Sequence, residues 1–175
     1  MKNTPILLEE SKTWLRNDLQ FKHTDKIKEE LSKIGIKFVT HNIIYGYEKD
    51  WRRYSSYSTN PEWQELFWSK LLKEDRMGHV GHRRSESGID ATFIWTTYKD
   101  QDDVLIERMK QNNCNEGITV VHKQKNNIIE NYSFGWENPN YILKKDDISK
   151  IKYIINPLVQ EHLDTFSNIS LKNLK

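Results

Sequence analysis

The chain has 175 residues and a net charge of +2, from 27 basic and 25 acidic residues spread along the sequence. A chain of this length forms one domain with one core, and the balanced charge lacks the one-signed field of a nucleic-acid-binding surface. We therefore expect a single domain over residues 1–175, with its core in 5–165 and a frayed tail in 166–175, that does not bind nucleic acid directly.

Aromatic residues are numerous, with 6 Trp, 8 Tyr and 6 Phe in a chain that is 36% hydrophobic. Such side chains bury large areas and are expected to dominate the core or a pocket. The single cysteine, Cys114, excludes a disulfide within the chain. The N-terminal segment has no apolar run long enough for a signal peptide or a membrane span, which favours a cytoplasmic protein without membrane contact.

The first half of the chain predicts two helices and a strand hairpin. A Thr-Pro pair indicates the start of an amphipathic helix over residues 4–19, and a second helix covers residues 25–34. The β-branched and aromatic run Ile36–Tyr45 predicts a strand, with residues 52–58 as its hairpin partner.

A cap-and-proline pair at residues 60–61 predicts the next helix, in which Trp63, Phe67 and Leu71 share one face. Residues 72–90 are polar, contain glycine and follow neither the helical nor the strand period. They are therefore expected to form a long loop or a poorly formed helix.

Two histidines in this segment, His79 and His82, have a spacing that could suit a metal ion. A metal site needs a third ligand at a defined distance, which the sequence does not provide, so no metal is expected. The neighbouring Arg83 and Arg84 could meet a phosphate, but nearby acidic residues favour a solvated polar segment.

The second half predicts a strand over residues 91–97, a helix over 102–111 and a hairpin formed by 117–123 and Ile128–Trp136. A final helix begins near Asp147, and the proline at 157 either kinks it or caps a new helix. Its apolar face is expected to pack against the sheet and consists of Ile148, Ile151, Ile155 and Leu158. The order of elements predicts an α+β fold: an α-β-α sandwich with a central antiparallel sheet of about five strands.

The sequence contains no motif of nucleophilic catalysis and no phosphate-binding loop. Adjacent acidic pairs such as Glu29-Glu30 point apart on a helix and cannot share a reaction. We therefore expect neither an enzyme nor a cofactor. An enzyme that uses the histidine-containing segment is the remaining alternative of that class.

Three stretches carry a resemblance to a known family: STNPEWQELFW at residues 58–68, FIW at 93–95 and GITVVHKQKNNIIENYSFGW at 117–136. In them the chain resembles the autoinducer-binding sensor domain of LuxR-type transcriptional regulators, particularly orphan-like members without the C-terminal helix-turn-helix. The resemblance implies an α-β-α sandwich with a ligand cavity between the sheet and one helical layer. It also implies dimerisation through helices, and allosteric ligand binding rather than catalysis.

The resemblance also implies ligand-binding residues. In that family a helix tryptophan and a strand tryptophan line the acyl-homoserine-lactone pocket, which implies Trp63 and Trp95 here. A tyrosine and an aspartate complete the polar recognition, which implies Tyr57 and Asp75. The chain departs from the family pattern at Arg76, where a proline follows the aspartate in other members.

The residue types alone favour a similar site, because a pocket for a mainly apolar molecule needs aromatic walls and a few polar groups. Trp63 and Phe67 can supply one wall from a helix. Phe93 and Trp95, at alternate positions of one strand, can supply the other, and Tyr57 a hydrogen-bond donor. The alternative is that these aromatic side chains fill the core.

The sequence therefore favours a small-molecule-sensing domain that acts by ligand-linked stabilisation or dimerisation. Its expected partner is a lipophilic small molecule, for which the resemblance implies a compound similar to an acyl-homoserine lactone, and it could form a homodimer or a heterodimer with a related regulator. The alternative is a stand-alone protein-interaction module that pairs with a full-length regulator or a host protein through the apolar face of the final helix. No helix-turn-helix follows residue 165, so a transcriptional effect is expected to need a partner or a further segment.

Overall fold

The computed structural model describes residues 24–45, 53–86, 88–123 and 128–172. The helix predicted over residues 4–19 lies outside these residues. Within them, the sheet consists of β1 (Ile36–Tyr45), β2 (Arg53–Ser58), β3 (Ala91–Ile94), β4 (Glu116–Lys123) and β5 (Ile128–Trp136). All neighbouring strands are antiparallel, and their order across the sheet is β2-β1-β5-β4-β3.

The helices lie between and after these strands. They are α1 (Thr24–Lys33), α2 (Pro61–Leu66), α3 (Arg76–Glu86), the short α4 (Trp95–Tyr98), α5 (Asp103–Gln111) and α6 (Lys145–Lys172). The chain continues from α2 into a π-helical turn (Phe67–Leu71) and a 3-10 turn (Leu72–Glu74), and a second 3-10 turn (Lys99–Gln101) follows α4. Apart from the N-terminal helix, the predicted helices and strands occur in the predicted order, with two further helices, α3 and the short α4, between them.

Two hydrophobic clusters cover the two faces of the sheet. Successive strand residues point to opposite faces, so Phe38 of β1 packs in one cluster and Val39 in the other. Side chains from α2, α3 and α5 complete the first cluster. Side chains from α1 and α6 complete the second. This arrangement confirms the predicted α+β fold with an antiparallel sheet between two helical layers.

The polar segment after α2 contains an ordered helix, α3, where the sequence predicts either a long loop or a poorly formed helix. Gly78 and Gly81 weaken the helical pattern, but glycine is needed here for packing. A Cβ atom at Gly81 would lie 2.8 Å from Val121 Cγ2 and 2.9 Å from Phe93 Cε2. Gly81 therefore lets α3 approach the sheet more closely than another residue would, whereas a Cβ atom at Gly78 would meet the Asp75 carboxylate at 2.5 Å.

The final helix runs from Lys145 to Lys172 with Pro157 inside it. Its residues Ile151, Ile155 and Leu158 are buried in the second cluster, as predicted for a face that packs against the sheet. Among the described residues, no helix is both long enough and apolar enough to cross a membrane.

Candidate functional site

The first wall of the candidate site comes from α2 and the turn after it. Asn60 caps this helix, because its side chain accepts a hydrogen bond from the Trp63 N–H at 3.1 Å. Trp63 and Phe67 are both buried, with ring centroids 5.7 Å apart. They form the aromatic side of the site on the α2–α5 face of the sheet.

All three residues of the predicted stripe contribute to the first cluster: Trp63 and Phe67 belong to its buried part, and the partly buried Leu71 packs against it. At the π-helical turn the Leu72 N–H bonds to the Phe67 carbonyl, which places an extra residue in one turn. Phe67 and Trp68 are therefore both buried, whereas Leu71 is only half-buried. Turns of this kind occur frequently at functional sites.

The second wall is Trp95, which is fully buried. The strand predicted over residues 91–97 ends at Ile94, so Trp95 begins the short helix α4. Its indole N–H donates to Thr119 Oγ1 at 3.0 Å, and Thr119 in turn hydrogen-bonds Ser133 at 2.8 Å. The ring is thereby fixed over the polar side chains of β4 and β5.

Two glycines make room for that ring. Gly117 of β4 and Gly135 of β5 are partners in the sheet register. A Cβ atom at Gly117 would lie 2.5 Å from Trp95 Cδ2, and one at Gly135 would lie 3.0 Å from Trp95 Cζ3. A glycine inside a strand often marks such a close approach. Here the two glycines leave a flat backbone surface against which the indole packs.

A buried arginine occupies the centre of the aromatic group. Only 6% of Arg108 on α5 is exposed. Its guanidinium carbon lies 5.6 Å from the ring centroid of Trp63, 5.7 Å from that of Phe67 and 5.8 Å from that of Trp95. These distances are within the range of cation–π attraction, which strengthens when the cation is removed from water.

The arginine is paired with Asp75, which is 7% exposed. Arg108 Nη2 lies 3.6 Å from Asp75 Oδ2, while Asp75 Oδ1 accepts the Gly78 N–H at 3.0 Å. Asp75 therefore stands immediately before α3 and caps it. The aspartate that the resemblance assigned to a ligand has a structural role at the start of a helix.

A second capping aspartate, Asp102, connects α5 to α3. Its Oδ1 accepts the N–H groups of Val104 and Leu105, and its Oδ2 accepts the Met77 N–H at 2.8 Å. Burial raises the pKa of Asp102, the Met77 hydrogen bond opposes that rise, and the charge of Asp75 adds to it. The carboxylate thus binds both helices at the edge of the site.

Asp102→Ala is expected to lower the free energy of unfolding by about 2–3 kcal/mol, because it removes a helix cap and leaves the buried Met77 N–H without its acceptor. Asp102→Asn keeps one oxygen acceptor for the cap of α5 but turns its NH2 group towards the Met77 N–H, so its cost is expected to be smaller than that of alanine, about 1–2 kcal/mol. Urea unfolding measures both values. Equal costs for the two variants would contradict the capping role.

A small polar cavity lies between the sheet and these helices. The space open to the centre of a water molecule is about 20 Å³, which is enough for about one water. Ligand pockets usually enclose about 300–1,000 Å³, so the cavity is closed to a molecule of that size in this form. It is lined by Asn42, Phe67, Leu72, Asp75, Met77, Gly78, His79, Arg108, Thr119, Asn131 and Ser133.

The structure brings five of the six predicted ligand-binding residues to one face of the sheet. Trp63, Phe67 and Trp95 surround Arg108, which connects them to Asp75. Phe93 belongs to the same cluster but packs edge-on against Tyr98, with centroids 5.3 Å apart.

The sixth residue, Tyr57, lies on the opposite face. It pairs with His41 in the register of β1 and β2 and is buried in the cluster of α1 and α6. Tyr57 therefore does not share a site with the other five residues.

Sequence reasoning missed Arg108 and the polar strand residues that line the cavity. We call these residues the polar floor: Asn42, Thr119, Asn131 and Ser133. The signal for Arg108 was its position on α5, one turn after the buried Val104 and Leu105. The floor includes Asn42 and Asn131, which face each other in the β1–β5 register and are hydrogen-bonded through their side chains. Polar residues at alternate strand positions usually indicate a solvated face, so they gave no signal for a buried site.

A second buried polar cluster lies on the other face. His41 Nε2 is 3.2 Å from Glu130 Oε1, and the Tyr132 hydroxyl donates to Glu130 Oε2 at 3.2 Å. Within the described residues, no three His, Cys, Asp or Glu side chains are grouped as they would be around a metal ion.

No protein family and no curated protein matches the sequence. Solved structures that share the fold include SdiA in complex with octanoyl-rac-glycerol, with a TM-score of 0.54 and 14% identity over 85% of this chain and 62% of that chain. Escherichia coli SdiA has a TM-score of 0.52 and 12% identity over 93% of this chain and 68% of its own.

The fold is also shared by CepR2 from Burkholderia cenocepacia, an N-acylhomoserine lactone dependent LuxR-family transcription factor. Its TM-score is 0.51, with 11% identity over 92% of this chain and 98% of that chain. The likeness confirms the fold that the resemblance to LuxR-type sensor domains implied. This chain spans about 62% of the length of SdiA in the octanoyl-rac-glycerol complex.

Proposed function

We propose that this domain is a small-molecule sensor whose ligand binds between the sheet and helices α2–α5. The observation that carries the proposal is the buried ion pair of Arg108 and Asp75 at a cavity with a polar floor. Apolar side chains at such positions would often give equal or greater stability. A polar site kept inside a core is therefore better explained by recognition of a ligand.

The ligand class that fits this site is an amphiphile with a small polar head and an acyl chain, similar to an acyl-homoserine lactone. Indole and phenyl rings supply apolar walls, and the sheet supplies hydrogen-bonding groups for the head. SdiA, which shares the fold, forms a complex with octanoyl-rac-glycerol. The proposed ligand-binding residues are Trp63, Phe67, Asp75, Phe93 and Trp95.

The sensor acts through the equilibrium between this closed form and a form with an enlarged cavity. A ligand that binds only the enlarged form shifts the population towards it, and any ligand that binds the folded chain stabilises it against unfolding. The proposed response is ligand-linked stabilisation or dimerisation in the cytoplasm, with no catalysis.

The alternative function, a protein-interaction module, was expected to use the apolar face of the final helix, α6, as its interface. Three residues of that face, Ile151, Ile155 and Leu158 of α6, are buried in the second cluster, and the fourth, Ile148, is half-buried and packs against it. The buried part of this face can meet a partner only if α6 moves.

Thermal unfolding with octanoyl-rac-glycerol and octanoyl-homoserine lactone tests the proposal. At about 100 times the Kd, a ligand stabilises the folded state by about 2.7 kcal/mol. For a chain of this size that corresponds to a Tm increase of roughly 5–10 °C. The increase is expected to be smaller in Trp63→Leu, which removes part of the aromatic wall.

The matched control is Tyr57→Phe, which changes a buried aromatic residue on the other face of the sheet. This variant is expected to keep the full response to the ligand. An unchanged Tm of the wild-type protein with both compounds, or an equal response in Trp63→Leu, would refute the proposed site. Sedimentation with and without ligand then reports whether dimerisation is coupled to binding.

A further inference from the structure

The centre of the proposed site is already occupied by the chain itself. Three aromatic faces and one carboxylate surround the Arg108 guanidinium, at 5.6–5.8 Å from the ring centroids and 3.6 Å from Asp75. Aromatic faces with a nearby carboxylate are the chemistry that recognises an organic cation. We call Trp63, Phe67, Trp95 and Asp75 the guanidinium box.

The ion pair of Arg108 with Asp75 holds the guanidinium in the box together with the rings, but it is not a close hydrogen bond. Charge-assisted hydrogen bonds of arginine to carboxylates are about 2.7–2.9 Å long, so the 3.6 Å separation from Asp75 is a loose contact. The same carboxylate has a closer partner in the Gly78 N–H at 3.0 Å. Within the described residues, Asp75 is the one carboxylate in contact with the guanidinium.

The position of Arg108 explains why the cavity is so small. The side chain borders the cavity, which has room for about one water molecule. An arginine side chain is long and has several rotatable bonds, so it can leave the box by changing rotamer while α5 stays in place. Its departure would join the space between the rings to the polar cavity.

We propose that Arg108 is the gate of the ligand site: its guanidinium occupies the space that the apolar part of the ligand takes, and binding requires it to leave the guanidinium box. This inference rests on the proposed sensor function. The gate sets specificity, because an uncharged amphiphile must displace a cation from three aromatic faces. A variant without the guanidinium is therefore a better receptor for such a molecule than the natural sequence.

The gate predicts that Arg108→Met binds octanoyl-homoserine lactone at least about tenfold more tightly than the wild-type protein, as measured by isothermal titration calorimetry. Methionine keeps an unbranched apolar side chain on α5 but leaves the buried Asp75 without its cation, so the variant is expected to be less stable than the wild-type protein. It is expected to fold, because Asp75 keeps its hydrogen bond from the Gly78 N–H. The matched control is Arg84→Ala. Arg84 also lies over an aromatic ring of this core, 6.0 Å from the Phe93 centroid, but it is exposed, so its removal is expected to leave the affinity unchanged.

A second arm tests the guanidinium box without an amphiphile. In Arg108→Ala, about 10 mM methylguanidinium is expected to fill the vacated box and raise the Tm by about 3–5 °C. Methylurea, which has nearly the same shape without the charge, is expected to have no such effect. The wild-type protein, whose box is filled, is expected to respond to neither compound.

The outcomes separate the gate from the sensor function. Equal or weaker binding of the lactone by Arg108→Met than by the wild-type protein would overturn the gate and leave the sensor function in place. If the wild-type protein and Arg108→Met both fail to bind either octanoyl compound, the sensor function and the gate are refuted together. An Arg108→Ala protein that is indifferent to methylguanidinium, or equally stabilised by methylurea, would overturn the guanidinium box.

Discussion

Gly117→Ala is expected to lower the free energy of unfolding by about 3 kcal/mol, at the upper end of the usual cost of overpacking. The new methyl group would overlap the Trp95 indole and approach the Phe134 carbonyl oxygen to 2.5 Å. The indole cannot move freely, because it is buried and hydrogen-bonded to Thr119. The carbonyl group cannot move freely either, because it belongs to the backbone of β5. Urea unfolding followed by tryptophan fluorescence measures the loss.

Two further variants show whether steric overlap with Trp95 causes the loss of stability in Gly117→Ala. Gly88 has a φ of +77° and no atom within 4 Å of an added Cβ, so Gly88→Ala reports backbone strain alone, about 1–2 kcal/mol. Combining Gly117→Ala with Trp95→Leu is expected to cost less than the sum of the two single variants, because a smaller side chain leaves room for the methyl group. Strict additivity would show that the two residues do not compete for space.

Glu130→Ala is expected to cost about 3–4 kcal/mol, since removing one member of a buried polar pair leaves its partners without compensation. Glu130 accepts from the Tyr132 hydroxyl and contacts the His41 ring nitrogen, both at 3.2 Å, and all three side chains lie in the interior. Chemical denaturation at pH 7 measures the cost.

The control is Glu137→Ala, a change of the same residue type just after the same strand. Glu137 pairs with Lys37 at 3.4 Å, but both side chains are more than half exposed. Exposed pairs contribute about 0–1 kcal/mol, so the two glutamates are expected to differ severalfold. Similar costs for both variants would mean that the buried cluster adds nothing beyond an ordinary surface pair.

The strands could be predicted because their signal is local. Ile36–Tyr45 and Ile128–Trp136 are rich in β-branched and aromatic residues, and both runs form strands with the predicted bounds. The helix α3 could not be predicted with the same clarity. Its Gly81 is required by contacts with Val121 and Phe93, which belong to distant strands, and a local sequence pattern does not show those contacts.

The aromatic walls of the candidate site could be predicted from the sequence, but the arginine at its centre could not. Large aromatic residues at helical or strand spacing must be buried somewhere, so the grouping of Trp63, Phe67 and Trp95 followed from their type. A single arginine on a helix of alternating charge reads as solvated, although Arg108 is buried. The face of Tyr57 depends on the register of β2 against β1, which the sequence alone does not specify.

The order of strands has a consequence for how the chain folds. The central pair, β1 and β5, joins residues that lie 89 positions apart, as in the contact of His41 with Glu130. Adjacent hairpins can form within microseconds, whereas closing so long a loop is slow and limits the overall rate. During synthesis β1 must therefore wait for the ribosome to complete β5, and until then it has an unpaired edge that is open to association with other chains.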